Sequence, residues 1–267
     1  PLRIAVLIKQ VPDTDDVRMD ETTGTMVREG IGAIINPLDL NALQAAVDLR
    51  SINGGEVTAI SMGPPQAEAA LREAIALGAD NILFISDKRV AASDTWATAR
   101  TLVAAITRSG PYDLILAGEK ATDGETGQVG PEVAAMMDLP FSTYVSGMEF
   151  NGDGYLKVKR TVEDGVELQK IPLPCLLTVL RDLNEPVMPT LAGKKRARKA
   201  EMPLCDLESL ELSPSETGIA GSPTRVVRIF YPQITRTPML FKGKDIEEGI
   251  ACLVRELENR AILGGGN

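Results

Sequence analysis

The chain has 267 residues and 44% hydrophobic content, enough for one sizeable core but too little for a full two-domain enzyme. Its formal net charge of −9 argues against nucleic-acid binding, which needs a surplus of Lys and Arg. Histidine is absent, which removes His-based catalysis and most zinc sites. We therefore expect no catalytic side chain and no metal site, so that any chemistry comes from a cofactor. Without an apolar run of about 18 residues, the sequence also predicts a soluble, cytoplasmic protein with no membrane insertion.

The first 120 residues alternate strand-like and helix-like stretches. Helical spacing around 43–47, 67–76 and 96–106 predicts helices between the strands. The side chain of Asn36, before Pro37, is expected to cap the first helix. The expected architecture is α/β, with a Rossmann-like parallel sheet and flanking helices. Four apolar runs, each followed by a turn, predict its strands: Leu2 to Ile8, Val57 to Met62, Ile82 to Ile85 and Leu114 to Ala117.

The pattern changes after Pro140. Four short runs separated by Gly, Asp, Asn and Pro turns predict an added hairpin region: Thr143 to Phe150, Tyr155 to Val162, Val166 to Ile171 and Cys175 to Leu180. The Pro-rich and then basic stretch 184–203 predicts an exposed loop. We expect a nucleotide-binding domain over 1–204, including a docking loop at 183–200.

Residues 205–267 are expected to form a linker and an extended C-terminal arm. The stretch 212–223 is rich in Ser, Gly, Thr and Pro, as linkers are. A strand is predicted at 225–231 and a helix from about Asp245 to Ala261. A lone strand and helix cannot form a core, so we expect the arm to pack on a partner or on the body of this chain. The helix carries one apolar stripe: Ile250, Leu253, Val254 and Leu257.

The stretch 118–131, GEKATDGETGQVGP, follows a predicted buried strand and leads into a helix. Glycines let a ligand approach the backbone, and the amides and dipole of a helix start favour a phosphate. A plain Gly-rich connection is the alternative, because such turns are common. The other strand ends would lie at the same edge of the sheet, where open α/β sheets bind ligands. The usual dinucleotide fingerprint and the NTPase P-loop are both missing.

Several motifs, in order along nearly the whole chain, resemble the beta subunit of electron-transfer flavoproteins. They are the opening IAVLIKQVPD, Asn36-Pro37, Ser61-Met62-Gly63-Pro64, Ala76-Leu77-Gly78-Ala79-Asp80, the segment Val158 to Thr178, and Leu183-Asn184-Glu185-Pro186. In the segment 158–178, Gln169 stands where an aliphatic residue is usual in the family. The resemblance implies a subunit that handles electrons through bound cofactors and works with an alpha subunit.

Two branches of the family differ in what the beta subunit holds. In the electron-bifurcating branch the loop resembles Asp-Gly-x-Thr-x-Gln-Val-Gly-Pro and binds FAD, whereas in the other branch AMP is a structural ligand. The present loop, DGETGQVGP at 123–131, resembles the FAD form. The preferred interpretation is therefore a subunit that binds FAD and takes hydride from NADH. One electron would pass to ferredoxin or flavodoxin, and the other to the alpha-subunit FAD and then to a dehydrogenase, of acyl-CoA type.

The resemblance also assigns residues to the cofactor and to a partner. Asp123 is expected to form hydrogen bonds, because a carboxylate beside a pyrophosphate otherwise repels it. Leu191 is expected to dock on the dehydrogenase, while the basic run 194–199 is either part of that contact or a solvated segment. The expected cofactor-binding residues are Leu7, Asn36, Asp39, Met62, Thr122, Asp123, Gly124, Glu125, Thr126, Gly127, Gln128 and Val129.

Two hypotheses of other classes remain open at this point. An ATP-binding or adenylating module would use the same kind of sheet and crevice, although no Ser-Gly-Gly-x-Asp-Ser loop follows the first strand. A scaffold subunit with an empty crevice is the other.

Overall fold

The structure is a computed structural model that describes residues 1–13, 32–227 and 238–262. The chain forms two compact units, Pro1–Arg228 and Ile229–Asn267. The strands are β1 (Leu2–Leu7), β2 (Gln10–Pro12), β3 (Ala33–Ile35), β4 (Gly55–Met62), β5 (Asn81–Ile85), β6 (Leu114–Gly118), β7 (Phe141–Phe150), β8 (Tyr155–Val162), β9 (Gly165–Pro172), β10 (Cys175–Val179) and β11 (Leu204–Cys205). The helices are α1 (Pro37–Asn53), α2 (Glu68–Leu77), α3 (Thr95–Ser109), α4 (Val129–Met136), α5 (Leu191–Lys199), α6 (Gly218–Gly221) and α7 (Ile246–Asn259).

Nine strands form one mixed sheet in the order β11-β5-β4-β1-β6-β10-β7-β8-β9, and β2 pairs with β3 separately. Neighbours from β11 to β7 are parallel, while β8 and β9 continue the sheet antiparallel. The side chains of β1 are apolar on both faces of the sheet, so both faces must be covered by helices. Ile4 and Val6 belong to the core on the α1 and α2 side, and Ala5 and Leu7 to the core on the α3 and α4 side. The predicted α/β fold is confirmed.

The hairpin prediction is correct for three of its four runs. Strands β7, β8 and β9 are an antiparallel extension, but β10 lies between β6 and β7 and is parallel to both. All five residues of β10 are buried. Its sequence, CLLTV, is apolar except for Thr178 and does not alternate, which is the pattern of a central parallel strand rather than of a hairpin.

The predicted exposed loop at 184–203 is wrong, because it contains helix α5. Lys, Arg and Ala are good helix formers, and Thr190 caps the helix by accepting a hydrogen bond from the Gly193 amide at 3.0 Å. Arg196 donates to the carbonyl of Ile75 at 2.6 Å, which fixes α5 against α2. A lack of apolar periodicity therefore did not mean a lack of structure here, since side chain to backbone bonds hold the helix.

Residues 205–227 belong to the first unit and pack on its other elements. Thr217 is buried beside Thr101 of α3, and the amide of Thr224 donates to the Asp94 carboxylate at 2.9 Å. Composition alone indicated a linker at 212–223, since small polar residues give no sign of such contacts. The predicted strand at 225–231 lies partly outside the described residues, and 225–227 are not in a strand.

In the second unit, helix α7 lies where a C-terminal helix was predicted. None of its side chains is buried, and Ile250 and Leu253 are 58% and 59% exposed. Among the described helices, none combines the length and the apolar character that crossing a bilayer requires.

Candidate functional site

The carboxyl ends of β1 and β6 form the switch point of the sheet. From β1 the chain proceeds to β4 and β5 on one side, and it then returns to β6 and β10 on the other. Crevices at such points, outside the carboxyl ends of the strands, are where open α/β sheets bind ligands. Lys9 follows β1 and Glu119 follows β6, so the loop 119–128 starts at this crevice.

Asp39 in the first turn of α1 holds these two strand ends together. Its Oδ2 accepts from the amide of Lys9 at 2.8 Å, and its Oδ1 accepts from the amide of Gly118 at 2.9 Å. A Cβ on Gly118 would lie 2.5 Å from Oδ1, so only glycine permits this approach. Burial raises the pKa of the Asp39 carboxyl to about 6, although both amides favour its charged form. Asp39 therefore links the ends of β1 and β6, the two strands that border the crevice.

Asn36 occupies the N-cap position of α1, but its side chain makes no capping bond, and this part of the sequence prediction is wrong. Its backbone carbonyl instead accepts from the amide of Asp39 at 2.9 Å. The side chain bonds to the loop: Nδ2 donates to the carbonyl of Lys120 at 2.9 Å, and Oδ1 accepts from the amide of Thr122 at 3.2 Å. Asn36 therefore fixes the loop 119–128 to the start of α1.

Two lysines neutralise the loop carboxylates. Lys9 Nζ lies 2.7 and 2.8 Å from the two carboxylate oxygens of Asp123, and Lys120 Nζ lies 3.5 Å from Glu125 Oε1. The sequence posed the difficulty that acids would repel a phosphate, and this pairing removes it. Neither lysine was among the predicted site residues. The signal for Lys9 was its position, one residue beyond the apolar run of β1.

The loop backbone presents a row of amides. A hydrogen bond from the amide of Glu125 to the carbonyl of Ala121, at 2.8 Å, closes a turn. Glu125 and Gly127 have positive φ of 52° and 62°, which reverses the chain before α4. The amides of Asp123 and of 126–130 donate to no acceptor within the described residues. Gly124 is open, since a Cβ there would meet nothing within 4 Å. Such amides at a helix start suit an anion.

A polar cluster beyond the loop was missed by sequence reasoning. Thr95 Oγ1, at the start of α3, lies 3.3 Å from Gln128 Oε1 and 3.0 Å from Glu132 Oε1. Burial raises the pKa of the Glu132 carboxyl, and the nearby negative charge of Asp94 adds to the shift. Spacing places Gln128 and Glu132 on one face of α4. The packing of α3 on α4, which brings Thr95 to them, had no sequence signal.

The remaining predicted residues lie in different environments. Leu7 is buried in the core on the α3 and α4 side, and Met62 packs partly buried against it. Val129 also packs against that core, at the start of α4. Leu191 lies elsewhere, at the start of α5, and is 88% exposed. The structure thus brings together the loop with Asn36 and Asp39, whereas Leu191 belongs to a separate surface.

Comparisons with known proteins identify the family of the chain. The electron transfer flavoprotein domain matches residues 23–209. The electron transfer flavoprotein subunit beta of Thermoanaerobacterium thermosaccharolyticum is 44% identical, over 98% of this chain and 100% of its own length. Subunit CarD of the caffeyl-CoA reductase-Etf complex of Acetobacterium woodii is 41% identical over the same shares. The acryloyl-CoA reductase electron transfer subunit gamma of Anaerotignum propionicum is 38% identical, again over 98% and 100%. With the family's domain covering more than half of it, the chain belongs to the electron transfer flavoproteins, as a subunit of the beta type.

Proposed function

We propose that this beta-type subunit holds FAD in the crevice between β1 and β6, with the diphosphate on the amides of Asp123 and of 126–130. The observation that carries the proposal is the loop itself, which combines a row of amides lacking described acceptors with acids already paired to lysines. A diphosphate diester carries two negative charges. Unpaired Asp123 and Glu125 would repel them, whereas the pairing of these two acids with lysines leaves the loop amides as donors.

The described residues divide the work of binding. The side chains of Asp39 and Asn36 fix the strand ends and the loop, so the site exists before a ligand arrives. Thr122, Thr126 and Gln128 are exposed and add side-chain donors. We assign the adenosine to the side of Leu7 and Met62, which are apolar.

FAD is favoured over AMP by the loop sequence at 123–131, which resembles the FAD-binding branch of the family. AMP in the same place is the second candidate, because the loop amides serve a monophosphate equally well. A bound FAD would accept a hydride from NADH and release the electrons one at a time, to ferredoxin or flavodoxin and to the flavin of the alpha subunit. The chain itself supplies no acid or base to that chemistry; it binds and orients the cofactor.

The partners proposed are an alpha subunit and a dehydrogenase of acyl-CoA type. Two of the similar proteins belong by name to caffeyl-CoA and acryloyl-CoA reductases, which supports that class of substrate. On α5, residues 193, 196 and 197 face α2, which leaves a free face with a pocket of about 430 Å³. That face carries Leu191, Lys194, Lys195 and Arg198. We assign Leu191 as the anchor, and the arm with α7 as the contact with the alpha subunit.

The nucleotide content of the purified native complex tests the proposal. The expected result is two FAD per pair of alpha and beta subunits, released by denaturation and separated by chromatography. One FAD and one AMP per pair of subunits would mean that this site binds AMP instead of FAD. One FAD with no second nucleotide would refute nucleotide binding here and revive the empty scaffold.

A further inference from the structure

Thr95 stands between two groups that compete for its single proton. Gln128 Oε1 and Glu132 Oε1 both lie within hydrogen-bond distance of Thr95 Oγ1, at 3.3 and 3.0 Å. A hydroxyl has one proton to donate, so it satisfies one of the two acceptors at a time. Which one it satisfies depends on whether the Glu132 carboxyl carries a proton of its own.

The environment of Glu132 favours the protonated form of its carboxyl. Its Oε2 is buried and has no hydrogen-bond partner within the described residues. Burial raises the pKa of the carboxyl, the hydrogen bond from Thr95 opposes that shift in part, and the charge of Asp94 adds to it. Asp94 is the charged group that acts on Glu132 in the described part of the chain. Burial also works to raise the pKa of Asp94, but hydrogen bonds from Ala97, Thr224 and Ser222 outweigh it, so that this carboxyl stays ionised.

The two protonation states of Glu132 give two arrangements. When Glu132 is ionised, its carboxylate accepts the hydrogen bond from the Thr95 hydroxyl, because a charge-assisted hydrogen bond is the stronger one. Gln128 Oε1 then loses its hydrogen bond from Thr95. When Glu132 is protonated, its carboxyl donates a hydrogen bond to Thr95 Oγ1, and the Thr95 hydroxyl donates its own hydrogen bond to Gln128 Oε1. That bond turns the Gln128 amide nitrogen away from α3, as a donor at the start of α4. Gln128 is exposed and belongs to the proposed phosphate loop.

We propose that Thr95 and Glu132 are positioning residues, which orient the Gln128 side-chain amide toward the nucleotide phosphates and tighten binding when Glu132 is protonated. The proposal rests on the proposed nucleotide site and adds a proton linkage to it. By this linkage, nucleotide binding takes up a proton at Glu132. In the proposed site the loop residues contact the phosphates, and Thr95 acts through Gln128.

The test uses the complex of both subunits, with the alpha-subunit flavin in place and the nucleotide of the beta-type subunit removed. ADP-ribose is the probe, since its phosphates are diesters and do not titrate between pH 5.5 and 8. Isothermal titration should give binding about tenfold to 100-fold tighter at pH 5.5 than at pH 8, the worth of one hydrogen bond to a charged group.

Three variants separate the relay, meaning the hydrogen-bond chain from Glu132 through Thr95 to Gln128, from other causes of a pH dependence. Thr95→Val keeps the shape of the side chain and removes the hydroxyl, so binding should stay at the weak level at every pH. Thr95→Ser should restore the pH dependence, which a purely structural role of the threonine methyl would not do. Glu132→Gln places an uncharged side-chain amide, with a donor for Thr95 at every pH, at this position and should bind at the tight level without pH dependence.

Each other outcome has a definite meaning. A pH dependence as large in Thr95→Val or in Glu132→Gln as in the wild type would overturn the proposed role of Thr95 and Glu132 while leaving the nucleotide site intact. Wild-type binding that does not vary with pH would do the same. Failure of ADP-ribose to bind the wild-type complex at any pH would overturn the proposed site and the relay together.

Discussion

Replacing Asp39 by Asn tests whether a buried carboxylate holds the crevice. Asn has one acceptor oxygen where Asp39 uses two, so the amide of Lys9 or of Gly118 loses its partner. A buried amide without a partner costs about 1–3 kcal/mol. The substitution also removes the cost of ionising this group in the folded state. With the pKa raised from 3.8 to about 6, that cost is about 3 kcal/mol at pH 7.5.

These two effects nearly cancel at neutral pH, so the pH dependence is the clearer prediction. Because the folded-state pKa of Asp39 is raised, folding takes up a proton between about pH 4 and pH 6. Stability from this group is therefore greatest at low pH and falls as the pH rises through 6. Between pH 5 and pH 7.5 the wild type should lose about 1.4 kcal/mol that Asp39→Asn does not lose.

Urea unfolding of this chain at both pH values, followed by circular dichroism and by the fluorescence of the single Trp96, measures the effect. The matched control is Asp113→Asn, since Asp113 also accepts from a strand amide, that of Arg3, but with one oxygen. We expect the control to keep the wild-type pH dependence. Equal pH dependence in the wild type and in Asp39→Asn would refute the view that this carboxyl is buried with a raised pKa.

Three further predictions concern the loop and the proposed partner surfaces. Gly127→Val forces a β-branched residue to a φ of 62° and should remove nucleotide from the purified complex. The control Gly152→Val, at a φ of 80° in a hairpin turn, should keep the nucleotide. Equal nucleotide content in the two variants would count against binding by the loop. Leu191→Ala should weaken binding to the dehydrogenase about 30-fold in a titration, as loss of an anchor worth about 2 kcal/mol, whereas Ile52→Ala, 80% exposed on α1, should not change it. A chain ending at residue 227 should keep the circular dichroism of its first unit but fail to co-purify with the alpha subunit; recovery of the truncated pair would contradict a role of α7 in assembly.

The sequence predicted those parts of the fold whose causes are local. The alternation of apolar runs and helical segments placed β1, β4, β5 and β6 within one or two residues, because a parallel strand must be apolar on both faces. The start of α3 has a local cause as well, since Asp94 caps the helix by accepting a hydrogen bond from the Ala97 amide at 3.0 Å. Where the cause is a contact distant in sequence, prediction failed. Helix α5 depends on Arg196 reaching carbonyls of α2, and no periodicity reports that bond.

The same division explains what was missed in the candidate site. The glycines of the loop and the following helix start are adjacent in sequence, so the loop could be predicted from them. Lys9 and Asp123 are 114 residues apart, and Thr95 and Glu132 are 37 apart. Their pairing follows from the strand order, which brings the end of β1 beside the end of β6 and packs α3 on α4. The charges that decide whether this loop accepts a phosphate are therefore set by the topology of the sheet. A search for the site from the loop motif alone would count Asp123 against it, whereas the fold supplies the lysine that reverses that conclusion.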